Sequence, residues 1–256
     1  MIAQVAGSAL GRFFAYAGGL SMMLADALRF AFTLRIRPTE ILRQAFFLGV
    51  QSWPIITLTS LFTGLVISLE AAATAVSFGL QSYIGGSVAF ATFRELGPML
   101  SGIVFAGRAG AAITAALGSM KVTEQIEALQ SMGASPTKVL VTPRLLACVL
   151  MLPLLTIFAD IVGICAGYIM AWQRVHLSQY EYFHSVQVTV DTSDFLKGLV
   201  KAVVFGIIVS MVACYEGFNA SGGADGVGKA TTQAVVASII LIFAANFLLS
   251  FLLFAP

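Results

Sequence analysis

Charged side chains are scarce in this chain, and those set inside apolar stretches are the ones that need a chemical reason. Arg94 and Glu95 stand side by side in the run RELGP, Arg94 to Pro98. A guanidinium there could clamp a phosphate, while the carboxylate beside it would repel phosphate and suit an amine head group or a gating ion pair. The same run also reads as an ordinary helix start. Pro98 fits a first turn, and an acidic residue just ahead complements the helix dipole. Glu70 is the only charge in the far half of another apolar run, with Ile67, Thr74 and Phe78 at spacings of three or four residues. On a helix these four could share one stripe facing a cavity. Arg108 and Asp160 lie deeper still. An ion within a membrane needs a partner or water, and a single ion pair between them is the simplest arrangement. Arg108 beside phosphates at the inner interface is the alternative, and a proton relay would lack a second relay residue.

Other chemistries are poorly served. Gly223 to Lys229 fits the GxxxxGK pattern of a phosphate-binding loop, but Ala230 follows where Ser or Thr must hold magnesium. Nucleotide binding is therefore rejected, and a tight cytoplasmic turn is expected. His176 and His184 read as surface residues, and Cys148, Cys165 and Cys214 as small buried hydrophobes. No catalytic Ser, His and Asp arrangement and no metal site is expected, and no cofactor is assigned to this chain.

The elements that must position these residues are membrane helices. Of 256 residues, 59% are hydrophobic and only 10% charged, against roughly 25% charged in soluble domains. No Asp, Glu, Lys or Arg occurs in 44–69, 71–93, 145–159, 161–173 or 230–256, and a span needs about 20 apolar residues. The expected fold is an all-α integral membrane protein, a single domain over 1–256. Five spans are placed at 53–78, 88–118, 145–172, 195–213 and 231–254. Ahead of them, 8–34 reads as an interfacial amphipathic helix with Leu10, Phe13, Phe14, Ala17, Leu20, Leu24 and Leu28 at helical spacing; a true first span is the alternative. No cleavable signal is seen, so the first span is expected to direct insertion. In the second span Gly102, Ala106 and Gly110, and likewise Gly107, Ala111 and Ala115, form rows that allow close helix approach. Arg174 to Asp194 reads as a polar outer connection, with Lys197 and Lys201 snorkelling just beyond it.

With the N-terminus inside, ten Lys and Arg fall on the cytoplasmic side: Arg12, Arg29, Arg35, Arg37, Arg43, Arg108, Lys121, Lys138, Arg144 and Lys229. Four fall outside: Arg94, Arg174, Lys197 and Lys201. This obeys the positive-inside rule and, with five spans, puts the C-terminus outside. The net charge of +2 gives no reason to expect nucleic acid. The same orientation leaves the polar island Lys121–Pro143 in the cytoplasm. As a helix over 121–133, it carries Val122, Ile126, Leu129 and Met132 on one stripe, stopped at Gly133. Such a helix either seats in a partner's groove or is a solvated connector.

Glu127-Ala128-Leu129, then Gly133 and Pro143, resembles the EAA-type loop with which ABC-transporter permeases dock on their ATPase. The longer run from Arg94 to Gly133, together with Tyr215 to Ser238, resembles the MlaE/YrbE permease family of bacterial phospholipid-trafficking ABC transporters. That resemblance implies a homodimeric permease of the bacterial inner membrane that handles phospholipid and maintains outer-membrane lipid asymmetry. It implies an ATPase of the MlaF kind, which would bind ATP and Mg, docked on Thr123, Glu124, Glu127, Ala128, Leu129 and Gly133. It implies a lipid pocket at Arg94, Glu95 and Leu96, to which Glu70, Ile67, Thr74 and Phe78 are added from their spacing. An MCE-domain hexamer of the MlaD kind outside and a small STAS-domain protein of the MlaB kind inside are further implied partners. A permease importing sterols or another small solute shares the EAA-type loop and stays open as an alternative. An intramembrane lipid-modifying enzyme would need a nucleophile or carboxylate set that is not visible.

Overall fold

The computed structural model describes residues 2–32 and 38–254, with the side chains of 2–10, 12 and 13 outside the description. Arg35 and Arg37, and the side chains of Leu10, Arg12 and Phe13, therefore lie outside the described residues. Among the described residues there is no strand. The helices are α1 (Ile2–Phe32), α2 (Pro38–Leu48), α3 (Trp53–Phe78), α4 (Ile84–Ala91), α5 (Gly97–Phe105), α6 (Ala111–Val122), α7 (Gln125–Ser131), α8 (Thr142–Val175), α9 (Gln179–Thr189), α10 (Thr192–Phe218) and α11 (Gly223–Phe254). Short π-helical turns at Thr92–Leu96, Ala106–Gly110 and Thr137–Val141 splice some of them into longer rods.

Five of the resulting helical stretches are long and apolar enough to cross a membrane: Pro38–Phe78, Gln81–Val122, Thr137–Val175, Thr192–Phe218 and Gly223–Phe254. Each contains one of the five expected spans. The limits of α3 follow from local chemistry. Pro54 sits in the first turn, where a missing N–H costs nothing, and Gly79 closes the helix at φ 70°. α1 is not among the five. It rests on the core through the fully buried Ala27 and the partly buried Leu20, Met23 and Leu24, while Phe14 and Leu28 of the expected stripe stay exposed.

Lipid reverses the usual inside–outside pattern of side-chain size. On α3 the buried positions are Ile56, Ser60, Gly64, Ser68 and Ala72, spaced by four and mostly small, whereas Leu58, Phe62 and Val66 face out. In an apolar solvent packing drives association, so small inward residues let backbones meet. A Cβ on Gly64 would run into the carbonyl of Gly163 on α8, and Ser68 Oγ donates to Gly167 O at 2.7 Å across the same contact. Of the two small-residue rows in the second span, Gly102 and Gly110 pack on Phe205 and Val209 of α10, but Gly107 has nothing nearby within the chain.

The connection expected over Arg174 to Asp194 is mostly helix. Ser178 and Glu181 form a capping box that starts α9, and the fully buried Tyr182 anchors it against the α4 region, stacking edge-on with Tyr168 at 5.6 Å. The Gly-rich segment expected to be a cytoplasmic turn is also different. Gly223 to Lys229 forms the first two turns of α11, leaving only a short link after α10.

Candidate functional site

RELGP does not start a helix. It lies inside the rod Gln81–Val122, where Thr92–Leu96 makes one π-helical turn before α5 continues through Pro98. Such a turn inserts a residue and re-aims the side chains on it. Arg94 and Glu95 do not pair with each other. Arg94 reaches Asp194 at the start of α10, with Nε and Nη2 at 2.9 and 2.7 Å from Oδ1, and its guanidinium lies 4.0 Å over the Phe90 ring and 4.4 Å over Phe254. Glu95 Oε1 accepts from Lys201 Nζ at 2.8 Å and Ser250 Oγ at 2.7 Å, and Oε2 accepts from Asn246 Nδ2 at 2.8 Å. Lys201 Nζ also donates to Arg94 O at 2.8 Å. Lys201 thus does not snorkel: it is fully buried and neutralised in place. Leu96 points elsewhere, onto a narrow crevice shared with Ser60, Thr63 and Gly97.

Ile67, Glu70, Thr74 and Phe78 do come together. They form one wall of an open recess of about 540 Å³ between the end of α3 and the start of α4, closed on the other side by Leu80, Tyr83 and Ser87. Among the described residues, Glu70 is its only charged lining residue. None of Arg94, Glu95 and Leu96 lines it, so the expected lipid-site residues divide between a recess and a polar cluster.

The ion pair expected between Arg108 and Asp160 is not formed. Arg108 turns toward the α2–α3 junction, where Nη1 donates to Phe47 O and Ser52 Oγ, both at 3.0 Å, and Nη2 to Gln51 Oε1. Depth decides this: Asp160 is level with Gly97, about 16 Å of helix from Arg108 on the same rod, and Arg108 sits on a π-helical turn beside the α2–α3 junction. Asp160 is 2% exposed, with Oδ1 lacking a hydrogen bond. That oxygen lies against the backbone of Gly97, where a Cβ would collide with it.

The island Lys121–Pro143 also departs from a single helix. α6 runs on to Val122, Glu124 takes the left-handed conformation at φ 59°, and α7 is only the seven residues Gln125–Ser131. Of the expected stripe, Ile126 is buried and Leu129 half-buried against the chain's own core, while Met132 is 73% exposed. Thr123, Glu124, Glu127, Ala128 and Gly133 are exposed. Lys121 Nζ bonds Glu127 Oε1, which holds the Glu127 carboxyl below the usual carboxylate range. A short, firmly seated helix with an open polar face is a suitable surface for a soluble partner.

Residues 41–252, from α2 to the end of α11, match the family described as Permease MlaE. The chain belongs to the MlaE permease family. It is 34% identical over 252 residues to the intermembrane phospholipid transport system permease protein MlaE of Haemophilus influenzae, covering 96% of this chain and 97% of that one. It is 40% identical over 214 residues to a probable ABC transporter permease protein of Rickettsia typhi, covering 84% and 83%. A probable ABC transporter permease protein of Synechocystis is 38% identical over 220 residues, covering 86% and 84%. As a member of the MlaE permease family with five membrane-crossing helices, the protein is a multi-pass membrane protein. The MlaE match takes in α7, the π-helical turn at RELGP and the Glu70 recess, and leaves α1 ahead of it.

Sequence reasoning missed Asp194, Lys201, Asn246 and Ser250. One signal was available. Asn246 and Ser250 are four residues apart in a stretch otherwise free of charge, so they share a helix face and must satisfy something buried.

Proposed function

We propose that this chain is the transmembrane permease subunit of an ABC transporter that moves phospholipids between the inner membrane and periplasmic carriers, supporting outer-membrane lipid asymmetry. The similarity to the Haemophilus phospholipid permease over nearly the whole chain carries this reading. The recess at Glu70 supports it. Its walls are mainly apolar, its volume of about 540 Å³ suits part of an acyl-chain molecule, and its single carboxylate would face an amine-bearing head group. A small polar solute would find few partners there. Two copies would form the pathway, with the N-terminus cytoplasmic and the C-terminus periplasmic. An ATPase holding ATP and Mg would dock on Thr123–Gly133, and a lipid-binding hexamer outside and a small regulatory subunit inside complete the assembly. In this scheme the ATPase moves α7. Because Ile126 ties α7 to the core and α6 runs unbroken from the π-helical turn at Ala106–Gly110, that motion reaches the spans.

Thr74→Trp would fill the recess from an exposed position. Mass spectrometry of lipid co-purified with the complex should show an amine-bearing phospholipid on the wild-type protein and a several-fold loss of that lipid in the variant. Equal phospholipid on both, or a sterol in its place, would overturn the assignment.

A further inference from the structure

A second recess, of about 370 Å³, lies where α2 packs against α6 and α8, lined among others by Arg43, Gln44 and Phe47 of α2, Ile113 and Ala116 of α6, and Arg144 of α8. Two guanidiniums border it and, among the described residues, no carboxylate lines it; Glu40 stands outside the rim, where Gln44 Nε2 donates to its Oε1 at 3.0 Å. Arg144 is 9% exposed, and its hydrogen bond runs from Nη1 to Leu140 O at 2.7 Å, which leaves donors of the fork unused. Among the described residues it has no ion pair. Burying a guanidinium without a counter-charge is costly, so the site is incomplete as it stands. Arg43, at the rim, is 80% exposed and only 3.8 Å from Glu40 Oε2, a surface contact that holds it weakly.

The remaining walls are apolar, and Phe46 and Phe47 continue them outward as exposed rings. The recess stands at the end of the bundle that carries α7: Ala116 is one turn and a half from the end of α6, and Arg144 is the third residue of α8. From Trp53, the start of α3, to Glu70 is 17 residues of helix, or about 26 Å. The two recesses thus lie near opposite ends of that helix.

We infer that this recess binds the phosphate of an anionic phospholipid from the leaflet on the α7 side. Arg144 and Arg43 would hold the phosphate, Gln44 a head-group oxygen, and the acyl chains would lie along Phe46 and Phe47. A lipid bound there bridges α2, α6 and α8, and so braces the base of the helix that leads into α7. It is a resident lipid, held apart from the Glu70 recess, and the inference does not rest on the transport reading.

The test uses the full chain, reconstituted in phosphatidylcholine nanodiscs containing a minor fraction of phosphatidylglycerol, re-extracted in detergent and assayed by quantitative lipid mass spectrometry. The wild-type protein should retain phosphatidylglycerol above its bulk fraction. Arg43→Gln and Arg144→Gln should each lower retention about fivefold, the effect of one cation near an anionic surface. Ala116→Trp, at an exposed wall position, should abolish retention while both arginines remain, and Thr74→Trp in the other recess should not change it. Unchanged retention in Arg43→Gln and Ala116→Trp overturns the site even if Arg144→Gln fails to fold. Equal retention of phosphatidylcholine overturns the charge selectivity. If inorganic phosphate alone raises the melting temperature as much as phosphatidylglycerol does, the site takes a free anion and the lipid assignment is wrong.

Discussion

The Lys201–Glu95 pair makes an asymmetric prediction, because its two ends differ in access to water. Lys201 is fully buried, while the Glu95 side chain is 38% exposed. Lys201→Met keeps the length of the stem and strands Glu95, which still accepts from Ser250 and Asn246 and still reaches solvent. The loss is then close to one charge-assisted hydrogen bond, about 2 kcal/mol. Glu95→Gln strands an ammonium that has no route to water. Its remaining acceptors, Arg94 O and Ser250 Oγ, are neutral, and breaking a buried pair from this side costs about 3–5 kcal/mol. Removing both charges leaves a neutral amide and a thioether in the same space. The double variant should therefore cost about 2 kcal/mol, less than Glu95→Gln alone. Equilibrium unfolding in mixed micelles, followed through Trp53 and Trp172, gives all three values. If Lys201→Met costs as much as Glu95→Gln, or if the double variant costs the sum of the singles, the pair is not the buried lock described here.

Glu127→Lys should abolish co-purification of the ATPase while leaving membrane insertion intact, because it reverses charge on the open face of α7 and sets two lysines together. A retained complex would remove α7 as the docking element. Gly97→Ala should destabilise by about 1–3 kcal/mol through overpacking, since the new methyl meets Asp160 Oδ1, whereas Gly107→Ala, with nothing nearby, should leave the melting temperature within about a degree of wild type or raise it slightly. Equal melting temperatures for the two would refute the packing assignment. Ser178→Ala should cost α9 about 1 kcal/mol of cap stability, seen as faster amide exchange over 179–189. Glu181 is held below the ordinary carboxylate range by its bond from Ser178, so its share of the cap is full above the ordinary value near 4.3 and fades as pH falls through the lowered one. A protection factor over 179–189, corrected for the slower intrinsic exchange in acid, that does not fall on acidification would argue against the carboxylate's part in the cap.

The spans were legible because hydrocarbon imposes one crude rule, the exclusion of charge over about 20 residues. The stretch 53–78 coincides with α3, whose ends carry Pro54 in the first turn and Gly79 at the close. Partnerships inside the bundle were less legible, since they depend on rotation about each helix axis. Level along the axis matters as well: Asp160 packs against Gly97, about 16 Å of helix away from Arg108 on the same rod, so the two deep charges never meet. Lys201 looked like a residue at a span's end because the span was started at 195. The capping box at Asp191 and Asp194 starts α10 at Thr192, so Lys201 sits more than two turns in, opposite Glu95. The π-helical turn at Thr92–Leu96 left no mark in the hydropathy, and it alone decides where Arg94 and Glu95 point. α9 is a different case, because its Ser178–Glu181 signature was visible in the sequence and was read as part of a loop.

These misses share a physical cause that bears on mechanism. A hydropathy reading assigns each charge the cheapest solution available to an isolated helix: a span end, an interface or a neighbouring charge at equal depth. The folded chain instead gathers Arg94, Glu95, Asp194, Lys201, Asn246 and Ser250 into one charge-balanced cluster spanning the Gln81–Val122 rod, α10 and α11, with Asn246 Oδ1 left without a hydrogen bond. A balanced cluster of charges costs little while it stays assembled and much once any member is pulled away. It therefore fixes those three elements as one body. By contrast, the Glu70 recess lies at the seam between that body and the end of α3, where mainly apolar walls can separate without pulling a member out of the cluster. Under the function proposed above, motion passed up from α7 should open that seam before it disturbs the cluster, and Arg94 and Glu95 would then hold the frame against which the recess at Glu70 changes shape.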